Sequence, residues 1–133
     1  MKMTSQPVTS SAPAPEIKNI INDTDDEILG VANPMWDDLI KFSNKGQYGK
    51  FTRNFSYNLL YGLNEVEMGK QFAKSELARN ISSDYDNLGI IRRGEHVTVL
   101  YRVRNAKKEG EYLGRLVLGY ESGEVKIFAA SIF

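Results

Sequence analysis

His96-Val97-Thr98-Val99-Leu100-Tyr101-Arg102-Val103-Arg104-Asn105 is the stretch that decides the fold. Val97, Val99, Tyr101 and Val103 point one way, and His96, Thr98, Leu100, Arg102 and Arg104 the other. That two-residue period belongs to a pleated strand with one apolar face. Downstream, Ala106–Gly110 reads as a charged hairpin tip and Glu111–Tyr120 as a second long strand. Glu121-Ser122-Gly123-Glu124 reads as a tight turn, with Val125–Phe133 as the last strand. A shorter strand over Leu88–Arg93 precedes them, so the C-terminal part reads as an antiparallel meander.

Upstream the period becomes helical. Thr24 and Glu27 have capping-box spacing and predict a short helix through Ile28, Leu29 and Val31, weakened by Gly30. Asn33 then reads as a cap and Pro34 as a first helical residue, with Asp37 and Asp38 in the first turn, where the helix dipole favours negative charge. Met35, Trp36, Leu39 and Ile40 supply an apolar face, and Gly46 is the stop. These signals predict a separate helix from Pro34 to about Lys45. Tyr48, Phe51 and Phe55 make a short aromatic helical face. Ser56–Leu63 is ambiguous between helix and loop, a further helix is expected over Glu65–Arg79, and Ser82–Asn87 is turn material.

Helices followed by antiparallel strands predict an α+β fold: N-terminal helices packed on a curved antiparallel meander sheet. The first 15 residues are rich in Ser, Thr, Ala and Pro and predict a disordered arm, leaving residues 16–133 as one α+β domain. On the later strands both alternations are apolar. Leu116 and Leu118 oppose Leu113 and Val117; Val125 and Ile127 oppose Phe128, Ala130 and Ile132. A sheet wet on one side shows polar residues on one alternation. A second covering is therefore expected, from another subunit or from the N-terminal segment. A homodimer is the expected assembly, with Leu100, Leu113, Val117, Phe128, Ala130 and Ile132 as interface candidates.

The 133-residue chain carries 17 basic and 17 acidic residues, for a formal net charge of zero. No strong basic field exists to gather nucleic acid, and Arg102, Arg104, Lys107 and Lys108 lack interleaved aromatics for base stacking. The chain has no cysteine, so disulfides, thiolate zinc sites and cysteine nucleophiles are excluded. A single histidine excludes a multi-histidine metal site. The acidic run Asp23–Glu27 lacks the glycine and distal glutamate of an EF-hand loop, so no metal and no cofactor is expected. No apolar stretch approaches the roughly 20 residues of a membrane span, and Met1–Ser5 is not an intact signal peptide. A cytoplasmic protein, or the mature part of an exported one, is the expectation.

The order of elements resembles the nuclear transport factor 2-like superfamily, a cone-shaped α+β fold. Trp36–Phe55, with Gly46-Gln47-Tyr48, Phe51 and Phe55-Ser56, resembles small bacterial domains of unknown function within it, which are often exported or lipid-anchored. The likeness covers about Pro34–Phe133. It implies a cone whose mouth can hold a small apolar ligand, with sheet faces that dimerise. Trp36, Tyr57, Tyr61, Tyr101 and His96 are the candidates to line such a pocket. The fold does not imply an activity. Isomerases and dehydratases of the superfamily use an Asp base with Tyr or Asp donors, or an Asp–His pair. Here Asp84 and Asp86 lie in a turn, and no Asp lies within the three long strands. His96, at a strand start opposite Val97, would need a positioned partner and a cavity to act as a base. These features favour a non-catalytic ligand-binding or interaction module that self-associates through its sheet, over an isomerase- or dehydratase-type enzyme.

Overall fold

A computed structural model describes residues 19–47, 54–57, 59 and 79–133. One helix, α1 (Asp25–Asn44), packs on one four-stranded antiparallel sheet of order β1-β2-β3-β4. The strands are β1 (Asp86–Arg93), β2 (His96–Val103), β3 (Tyr112–Glu121) and β4 (Glu124–Ile132). This is the α+β meander that the period change near residue 88 predicts. The expected arm, the aromatic face at Tyr48 and Phe51, and the helix over Glu65–Arg79 lie largely or wholly outside the described residues.

The two expected helices, a short one through Val31 and a separate one from Pro34 to about Lys45, are one continuous helix of 20 residues. The capping box forms: Glu27 N–H donates to Thr24 Oγ1 at 3.2 Å, and Thr24 N–H donates to Glu27 Oε1 at 2.9 Å. Once started there, the helix runs through Pro34 without a second cap. Proline in the interior gives up the bond to the carbonyl of Gly30, at a cost of about 3 kcal/mol. The stripe Ile28, Ala32, Trp36, Leu39, Ile40 and Ser43 is unbroken across that point and wholly buried. Each large apolar side chain in it contributes about 1.5–3 kcal/mol, so packing outweighs the lost bond. The C-terminus is a Schellman motif: Gln47 N–H donates to Phe42 O at 2.8 Å and Gly46 N–H to Ser43 O at 3.1 Å, with Gly46 at φ 68°. Asn44 closes the end by exchanging two 2.9 Å hydrogen bonds with the backbone of Ile81.

The core lies between helix and sheet. Val97, Val99, Tyr101 and Val103 of β2 are all buried there, as the alternation requires, beside Leu116, Leu118 and Ile127. Ile20, Phe55 and Ile81 close its margins. Arg92 of β1 ties the sheet to the helix start. Its guanidinium donates to Ile21 O (3.1 Å) and Asp23 O (2.8 Å), and pairs with Asp25 Oδ1 at 2.7 Å. On the far edge, Ser56 N–H donates to Ile127 O at 2.8 Å, so Phe55–Ser56 prolongs the sheet beyond β4. The turn after β3 has Ser122 and Gly123 at φ 54° and 80°, the type I′ pattern whose twist suits a hairpin.

One register shift revises the sequence reading of β4. A bulge between Val117 and Leu118 on β3 leaves Phe128 as the extra residue of β4. Ile127 pairs with Leu118, Ala129 with Val117, and Ala130 with Leu116. Phe128 and Ala129 therefore stand on the outer side. Ala130 and Ile132 return to the inner side with Val125 and pack against the core. The expected grouping of Phe128, Ala130 and Ile132 on one face does not hold, because strict alternation fails across a bulge.

Candidate functional site

Two regions gather the candidate residues, one on each side of the sheet. On the helix side, Trp36 and Tyr101 stack with ring centroids 4.5 Å apart and planes 6° from parallel. The helix stripe brings Trp36 to this point, and the β2 alternation brings Tyr101. Gly114, across from Tyr101 on β3, lets them meet: a Cβ there would lie 2.6 Å from Trp36 Cζ2. Tyr85 stands edge-on to Tyr101, with centroids 5.2 Å apart. Its hydroxyl donates to Asp37 Oδ1 at 2.8 Å.

Asp37 thus sits mid-helix, not in a first turn, and its partner is a phenol, not the helix dipole. Asn33, read from sequence as a cap, instead exchanges two 3.0 Å amide hydrogen bonds with Asn87 at the start of β1. Burial, followed by the bond to Asp37, pushes the Tyr85 hydroxyl above the ordinary tyrosine range. Burial does the same to Tyr101, helped by the nearby Tyr85 and Asp37. Trp36 Nε1 and Tyr101 Oη are buried without a hydrogen-bond partner among the described residues. No local sequence signal marks Tyr85, Asp37, Asn33 and Asn87 as site residues. Only their places in three dimensions join them, since they come from separate parts of the chain.

The other pocket candidates are elsewhere. Tyr57 is 66% exposed, and its backbone N–H donates to the Glu121 carboxylate at 3.0 and 3.1 Å. Tyr61 lies outside the described residues. His96 is on the opposite side of the sheet, edge-on to Phe128 with ring centroids 4.6 Å apart. Both rings lie over Gly119, where a Cβ would come within 2.7 Å of His96 Cδ2. No group of three acidic or histidine side chains converges to hold a metal ion among the described residues.

That opposite, outer side is built in rows across the strands. Ile91, Thr98, Val117 and Ala129 are register partners in turn from β1 to β4. Gly89, Leu100, Arg115 and Ser131 form the next row. Phe128 fills the bulge beside the first row. Leu113 and Ile91 are 38% and 53% exposed. Of the interface candidates, Leu100, Leu113, Val117 and Phe128 share this side, while Ala130 and Ile132 face the core.

Charge is confined to the ends of the face and to Arg115. Asp86 Oδ2 meets Arg104 at 3.1 Å and Arg102 at 3.3 Å, and Glu111 meets the same two arginines at 3.6 and 3.4 Å. Arg102 and Arg104, two of the four basic residues clustered in the sequence, are therefore matched by two carboxylates. Arg115 lies 5.6 Å from the Phe133 ring centroid, in cation–π range. Among the described helices, none is long and apolar enough to cross a membrane. No protein-family model matches the chain and no curated protein matches it in sequence, so the functional reading rests on the geometry above.

Proposed function

We propose that the chain is a non-catalytic interaction module of the nuclear transport factor 2-like kind, self-associating through the outer face of its sheet. One observation carries this reading: the row Ile91–Thr98–Val117–Ala129, with Phe128 and Leu100 beside it, crosses all four strands. It has no charged member, and Ile91 at its β1 end stands 53% exposed. A monomer has little reason to keep such a band in water. A second copy is the occupant that fits. Strands of eight residues at about 3.3 Å rise, four abreast at about 4.8 Å, span roughly 500 Å² in projection. The accessible area of so corrugated a surface exceeds its projection and approaches the roughly 800 Å² per partner of a stable interface. The end charges of both signs leave no net repulsion between copies.

Val117 is at the centre of the band, and Val117→Asp would bury a carboxylate in the contact. Sedimentation at micromolar concentration is expected to show a dimer for the native chain and a monomer of unchanged far-UV circular dichroism for the variant. A native chain that sediments as a clean monomer overturns the reading.

A second reading follows from the helix side. A carboxylate on a tyrosine hydroxyl, above a buried tyrosine and tryptophan with unpartnered polar atoms, supplies the Asp and Tyr groups that an isomerase- or dehydratase-type site uses. It is favoured over the first if Asp37→Asn abolishes binding or turnover of a small carbonyl compound while the oligomeric state stays native.

A further inference from the structure

We infer that the edge of β1 left unpaired among the described residues is a second contact surface, at which β1 pairs antiparallel with β1 of another copy to make a continuous eight-stranded sheet. This goes beyond the face contact and does not depend on it. β1 is an edge strand, and among the described residues its backbone hydrogen bonds run to β2 alone. All of it but Ile90 is exposed. Such an edge carries unpaired N–H and C=O groups that template further pairing.

The sequence of β1 is matched to its own reverse. A register shift between Asn87 and Gly89 makes Leu88 a bulge residue, so Leu88 and Gly89 together oppose Leu100. The eight residues then occupy seven positions centred on Ile90. An antiparallel two-fold through Ile90 sets Asp86 opposite Arg93 of the second copy and Leu88 opposite Ile91, each twice.

The faces agree as well. Asp86, Ile91 and Arg93 pair with outer-side residues of β2, whereas Asn87 and Arg92 reach the helix side. A two-fold normal to the sheet keeps outer residues outer, so Asp86 meets Arg93 on the outer side and Asn87 meets Arg92 on the helix side. Charged residues usually guard an edge by facing like charges or water. Here the symmetry brings opposite charges together. Arg93 has no ion-pair partner among the described residues, and the Asp86 side chain, which meets Arg102 and Arg104 through Oδ2, is 48% exposed. Leu88 and Ile91, at 46% and 53% exposure, meet each other instead of solvent. A strand edge buries less than a sheet face, so the edge contact adds to the assembly only above the micromolar concentrations at which the face contact gives a dimer.

The chain has no cysteine, so introduced cysteines report this contact cleanly. Leu88→Cys and Ile91→Cys chains are mixed and mildly oxidised. The mixture is expected to give a cross-linked pair with one chain of each kind, several-fold faster than either variant alone. Opposed positions come within disulfide reach, and like positions stay two places apart. A parallel arm mixes Arg93→Asp with Asp86→Arg, which repel their own kind and restore both ion pairs together. Preferential heteromeric association is expected.

Repeating the cross-link in the Val117→Asp background separates the two surfaces. Persistence there supports the edge whether or not the face contact exists, and loss there overturns the edge as a surface of its own. No cross-link in the mixture, or equal cross-linking of each variant alone, also overturns it.

Discussion

At the scale of single residues, close approach decides most of what is unusual here. Gly114 admits the Trp36 ring, and a methyl group there would also lie 2.8 Å from Val103 Cγ2. Gly114→Ala should therefore cost about 1–3 kcal/mol, since both neighbours are packed core. Urea unfolding measures it. The tyrosines beneath give a second expectation. Tyr85 and Tyr101 hold their protons more tightly folded than unfolded. Their contribution to stability is then complete below the ordinary tyrosine value of about 10 and declines as pH rises above it. Alkaline titration followed by phenolate absorbance should show a late phase that Tyr101→Phe diminishes. A titration with no late phase would contradict the burial of these hydroxyls.

At the scale of elements, α1 is governed by its ends and by its buried stripe. Thr24→Ala removes the cap and should cost about 1 kcal/mol, read by thermal unfolding. The backbone N–H of Thr24 holds the Glu27 carboxyl below its usual range. That contribution is present above the ordinary glutamate value of about 4.3 and is lost as pH falls through the lowered one. Gly30 is the converse case. It is exposed, and a Cβ there meets nothing within 4 Å. Gly30→Ala should stabilise the chain by about 0.5–1 kcal/mol. The strands obey a different rule: their alternation is reliable until a bulge, and the bulge near Val117 changes which side of the sheet Ala130 and Ile132 occupy.

At the scale of the whole molecule, the sheet is covered on one side by α1, and its other side bears the uncharged row. If a second copy covers that side, folding and association are linked. In the micromolar range, where the face contact dominates, the melting temperature of the native chain should rise with protein concentration, and that of Val117→Asp should not. Calorimetry at several micromolar concentrations checks this. A concentration-independent melt of the native chain would leave the outer face as the surface of a monomer.

The amino-acid sequence alone determined the class of the fold. The change from helical to two-residue spacing, the Thr24–Glu27 cap, the Gly46 stop and the Glu121–Glu124 turn are local signals, and local backbone chemistry is enough to read them. Tertiary packing decided the rest. It ran one helix through Asn33–Pro34, because the buried stripe outweighs a single missing hydrogen bond. It gave Asp37 a tyrosine partner 48 residues away. It also reversed the facing of the β4 end, because a bulge depends on the neighbouring strand, and no periodicity within β4 records where that strand gains its extra residue.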